Sequence, residues 1–70
     1  MKTYFIRARM IEKGLTYEAM AARLGISVSA FQKKMSGKTE LTLSEIQGVI
    51  EALEWDRETA FDVFFGQKVS

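Results

Sequence analysis

Five side chains between positions 27 and 33 have the types and spacing to touch the edges of base pairs: Ser27, Val28, Ser29, Gln32 and Lys33. A Gln amide can bond bidentately to adenine, and a Lys ammonium can donate to guanine O6 and N7. Ser is adaptable, and a Val can rest against a thymine methyl; a correct contact of this kind contributes about 1–3 kcal/mol of base discrimination. Polar residues also face solvent on most helices, so their meaning depends on the element that carries them.

That element is the second half of a two-helix pattern over Thr16 to Gly37, TYEAMAARLGISVSAFQKKMSG. Thr16 stands where an N-cap belongs, and Met20, Ala21 and Leu24 follow at helical spacing. Gly25 sits where a left-handed residue should end that helix, and Gly costs least there. Ser27 can then cap a second helix that turns Phe31 and Met35 inward, leaving Val28, Ser29, Gln32 and Lys33 outside. Two short amphipathic helices joined by a tight Gly-Ile-Ser turn make a helix-turn-helix, whose second helix is built to enter the major groove.

The rest of the chain supplies three more helices and no supported strand. The first covers Thr3 to Glu12, with Phe5 or Ile6, Met10 and Ile11 inward, ended by Lys13-Gly14. The fourth runs from Thr42 to Leu53, with Leu43, Ile46, Val49, Ile50 and Leu53 inward. A fifth starts at Asp56 and reaches Phe65, where Gly66 stops it. Three caps are bracketed by apolar pairs: Leu15/Met20 around Thr16, Ile26/Phe31 around Ser27 and Leu41/Ile46 around Thr42. Each is a hydrophobic staple that sets the angle at which the chain enters a helix, and Thr42 with Glu45 adds a capping box.

Seventy residues make one small domain, 1–70, with no repeats and no linker. There is no Cys, His or Pro, which removes disulfides, thiolate metal sites and the commonest metal ligand. No nucleotide fingerprint and no carboxylate pair isolated among apolar residues stands in the chain, so neither an enzyme nor a cofactor is expected. No signal-peptide core and no membrane-length apolar run is present, and the expected location is cytoplasmic. The net charge of +1 hides an asymmetry: residues 1–38 carry +6 and residues 39–70 carry −5. A basic half suits a phosphate backbone, although solvated helix faces give such splits too.

With these residues in place, the chain resembles the Cro/C1-type helix-turn-helix family of phage and bacterial repressors. The matching pieces are Gly14-Leu15-Thr16, Ala21 and Leu24, Gly25-Ile26-Ser27, and Gly37-Lys38. Residues 41–46, LTLSEI, and Phe64-Phe65 also look like a branch of small phage-associated regulators. The resemblance implies an all-α fold, a compact five-helix, lambda-repressor-like DNA-binding domain that reads bases with Ser27, Val28, Ser29, Gln32 and Lys33. Thr16 and Tyr17, at the positive end of the second helix, and Lys38 and Thr39 would meet the DNA backbone. Arg7, Arg9 and Arg23 lie either beside these residues or on the far side of the domain. Relatives often pair a buried Arg and Glu where this chain has Met10 and Met35; exchanging both for apolar residues keeps the core free of a bare charge. Relatives also place an aromatic or aliphatic residue where this chain has Lys34.

Trp55, Phe61, Phe64 and Phe65 crowd the acidic end. They either roof the core or form a dimer surface, which Val69 and the polar tail could join. The resemblance favours a homodimer on double-stranded DNA with a pseudo-palindromic operator, half-sites about one helical turn apart. No small-molecule ligand is expected. The alternative is a protein-binding module, anti-repressor or antitoxin-like, that works through the aromatic C-terminal helix.

Overall fold

The computed structural model describes residues 2–66, which form α1 (Thr3–Lys13), α2 (Tyr17–Leu24), α3 (Val28–Met35), α4 (Leu43–Leu53) and α5 (Arg57–Phe65). Short-range chemistry sets their ends. The Thr16, Ser27 and Thr42 hydroxyls accept from the N–H groups of Ala19, Ala30 and Glu45 at 3.0, 3.0 and 3.2 Å. Asp56 does the same for α5 through its carboxylate, 2.7 Å from the Thr59 N–H. Each cap satisfies one of the N–H groups that a helix start leaves without a partner.

The turn between α2 and α3 closes as its sequence requires. Gly25 lies at φ +72°, and the Ile26 N–H reaches back to the Ala21 carbonyl at 3.0 Å. The end of α4 uses the same closure without a glycine. Glu54 takes φ +57°, and the Trp55 N–H bonds the Ile50 carbonyl at 3.2 Å. A left-handed glutamate is strained, and its carboxylate is held 2.6 Å from the Lys13 ammonium on α1.

The core joins Ile6 and Met10 of α1, Met20 and Ala21 of α2, Phe31 and Met35 of α3, and Val49, Ala52 and Leu53 of α4. Leu41, Val63 and Phe64 complete it. All six staple residues belong to this core or pack against it, so the helix entries and the hydrophobic core are one construction. Met10 and Met35 are both buried in this core, with no charged group at either position. Gly48 lets α4 approach α2 closely: a Cβ there would lie 2.6 Å from Leu24 Cδ2.

Two inward assignments are overturned. Ile11 is 74% exposed, because Ile6 and Met10 already define the buried stripe of α1 and position 11 turns a further 100° away. Phe5, the other candidate for that stripe, is also exposed, and Ile6 takes the core position. Leu43 is 69% exposed: Leu41, just ahead of the cap, fills the core at that end of α4, and Leu43 projects past it. Val69 lies outside the described residues.

Candidate nucleic-acid interface

Phe31 and Met35 fasten α3 to the core by one face, with the Phe31 ring fully buried. The opposite face is fixed by helical geometry and carries Ser29, Gln32, Lys33 and Ser36, all exposed. Four small or polar side chains at this spacing form one unbroken stripe, with no acidic residue in it. Ser27 is exposed at the N-cap with its oxygen engaged by the Ala30 N–H, so its hydroxyl keeps a hydrogen to donate. Val28 is half-buried against the core and offers only part of its surface. Ser36 is a residue the sequence reading passed over. Its position, seven after Ser29, is the signal that could have found it, and its hydroxyl donates back to the Lys33 carbonyl at 2.9 Å.

The flanks of α3 present the expected backbone-binding candidates at two places. Thr16 is exposed at the start of α2, where free N–H groups and the helix dipole favour an anion. Tyr17 is half-buried, its ring edge-on to Phe31 at 5.1 Å between centroids. Its hydroxyl accepts from Arg7 Nε at 3.3 Å, which brings Arg7 of α1 beside the start of α2. On the other side, Lys38 and Thr39 are exposed just after α3 and are held there by backbone bonds to the Lys33 carbonyl at 3.0 and 3.4 Å.

Six of the described cations sort into two groups. Arg9 donates to the Leu53 carbonyl at 3.1 Å and pairs with Glu12, and Lys13 pairs with Glu54. Arg23 lies close enough to help hold the Glu54 carboxyl below its ordinary range, after the larger effect of Lys13. These three serve the α1–α4 side. Among the described residues Arg7, Lys33 and Lys38 pair with no carboxylate, and they border the α3 stripe or the start of α2. Unpaired cations on and around a ridge without acidic residues can engage phosphates without first breaking an internal ion pair.

Lys34 belongs to neither group. Its ammonium turns off the stripe to the Glu45 carboxylate at 3.1 Å and the Glu40 carbonyl at 3.0 Å. The aromatic quartet divides as well. Phe64 is buried, and half-buried Trp55 packs edge-on to it at 6.3 Å, so these two roof the core. Phe61 and Phe65 remain 61% and 56% exposed, with their rings 5.7 Å apart. Of the four rings, Phe61 and Phe65 are the two that face solvent.

Among the described residues no helix is long and apolar enough to cross a membrane. No curated protein sequence and no solved structure matches the chain. The sequence model of one family, described as helix-turn-helix, matches residues 6–54. That span begins at the first buried residue of α1, contains the turn at Gly25 and the whole α3 ridge, and ends at the left-handed Glu54. By a match over more than half its length, the chain belongs to the Cro/C1-type family of DNA-binding helix-turn-helix proteins.

Proposed function

We propose that this protein is a sequence-specific transcriptional regulator, repressor-like and of phage or prophage type, that reads double-stranded DNA in the major groove with residues 27–35. One observation carries the reading: α3 is anchored by buried Phe31 and Met35 while Ser29, Gln32 and Lys33 stand exposed on its other face. Gln32 and Lys33 supply the direct readout, Ser27 and Ser29 adapt to either base, and the exposed part of Val28 meets a thymine methyl. Thr16, Tyr17, Lys38 and Thr39 fix the register on the phosphates, and the placement of Arg7 against Tyr17 adds it to them. The site of action is then cytoplasmic, and no cofactor or effector molecule is needed.

The protein acts as a homodimer on a pseudo-palindromic operator, with Phe61 and Phe65 at the contact between copies. Two neighbouring exposed aromatic rings on the last turns of α5 favour this pairing. The same two rings support the second reading, a protein-binding module whose partner covers α5. Selection of the purified chain on a random-sequence duplex library at near-physiological salt separates the two. An enriched palindrome with half-sites about one turn apart establishes the regulator. Folded protein that enriches no sequence refutes it and moves the function to Phe61 and Phe65.

A further inference from the structure

Lys34 stands on the helix proposed to read bases, yet its side chain is only 14% exposed and points away from the ridge. Its carboxylate partner, Glu45, is 12% exposed. The same Glu45 oxygen accepts the Thr42 N–H at 2.8 Å, and Thr42 caps α4. Between α3 and α4 runs a loop, residues 36–42, that displays Lys38 and Thr39. The near end of this loop is tied to α3 by the backbone bonds to the Gln32 and Lys33 carbonyls. The far end has a different tie. Lys34 Nζ donates to the Glu40 carbonyl and to Glu45, so one ammonium spans from α3 to both the loop's last turn and the start of α4. Two of its three N–H donors are used in this way, and the side chain is largely covered by its neighbours.

We propose that Lys34 is a positioning residue for duplex binding: its ammonium, held between Glu40 and Glu45, clamps the 36–42 loop so that Lys38 and Thr39 meet the DNA backbone in register with the α3 ridge. The proposal rests on the DNA reading above. Supporting contacts of this kind matter because a binding constellation loses affinity when its members drift by fractions of an ångström. On this proposal neither Lys34 nor Glu45 touches the DNA, and both act through Lys38 and Thr39.

The test exploits opposite charge changes. Lys34→Met, Lys34→Arg, Glu45→Gln and the Lys34→Met/Glu45→Gln double variant are titrated with a short mixed-sequence duplex by fluorescence anisotropy, with circular dichroism to confirm folding. Gln at 45 can still accept the Thr42 N–H, so the cap survives. Positioning requires both single variants to weaken binding, about three- to tenfold, although one removes a positive charge and the other a negative one. The double variant should lose no more than the weaker single, and Lys34→Arg should recover most of the affinity. Amide exchange at Lys38 and Thr39 in the free protein should quicken in both single variants. Tighter or unchanged binding by Glu45→Gln overturns the proposal and leaves Lys34 a plain electrostatic contributor. A wild-type chain that binds no duplex at low salt overturns the DNA reading, and this proposal with it. If Lys34→Met fails to fold, the sign of the Glu45→Gln effect still decides.

Discussion

The Glu45 carboxylate receives the Lys34 ammonium at 3.1 Å and the Thr42 N–H at 2.8 Å on the same oxygen, joining the end of α3 to the start of α4. Chiefly the Thr42 N–H, with help from Lys34, holds this carboxyl below the ordinary glutamate range. Asp56 is lowered in the same direction by the Thr59 N–H, and Glu54 by Lys13. A carboxyl depressed by folding stabilises the fold fully above its ordinary range and loses that contribution as pH falls through the folded value. The thermal midpoint should therefore drop steadily as pH is lowered from about 5 towards about 3. Thermal melts of Glu45→Gln and Asp56→Asn should show a flatter dependence than wild type; equal slopes would contradict these assignments.

Core and ridge should separate cleanly on α3. Phe31→Ala removes the largest fully buried side chain and should cost about 3–5 kcal/mol, enough to unfold much of so small a domain. Gln32→Ala and Lys33→Ala alter exposed groups and should change stability by less than about 0.5 kcal/mol. Each should nevertheless weaken binding to a selected operator by about 1–3 kcal/mol. Chemical denaturation and anisotropy titrations on the same samples check the pair of effects.

Arg7 should act through phosphates and not through bases. Arg7→Ala is expected to weaken all duplexes alike and to reduce the slope of log K against log salt by about 0.9. Arg9→Ala, whose guanidinium is committed to the Leu53 carbonyl and Glu12, should leave that slope unchanged and lower stability instead. Titrations at several salt concentrations distinguish the two arginines.

Phe61 and Phe65 can be replaced without opening the core. A Phe61→Ser/Phe65→Ser variant should keep its helical signal and its thermal midpoint to within a few degrees, while sedimentation analysis reports a shift to monomer. The corresponding Phe64→Ser change should destabilise the fold outright, since that ring is buried against the core and faces Trp55. A monomeric wild type at operator-binding concentrations would remove the dimer from the proposed mechanism.

Glu54→Gly exchanges a strained left-handed residue for one that adopts φ +57° freely, at the expense of the Lys13 pair. At high salt, where an exposed pair is screened, the variant should melt at a higher temperature than wild type.

The amino-acid sequence by itself determined the helices, their caps and the turn, because these depend on contacts three to five residues apart. Thr16, Ser27, Thr42 and Asp56 satisfy nearby N–H groups, Gly25 tolerates the left-handed turn, and each staple joins residues five apart. The outer stripe of α3 was legible for the same reason: once Phe31 and Met35 point inward, helical periodicity leaves Ser29, Gln32 and Lys33 outside. Tertiary structure alone decided what depends on residues far apart. It sent Arg7 to Tyr17 and Arg9 to the Leu53 carbonyl 44 positions away, a distinction no local pattern encodes. It turned Ile11 and Leu43 outward, since periodicity marks an apolar stripe but not how wide a face the neighbouring helices can cover. It also divided four aromatic residues into two that roof the core and two that face solvent. Finally it turned Lys34 towards Glu45, because the side a long cation leans towards is set by the carboxylate and carbonyl that folding brings within its reach.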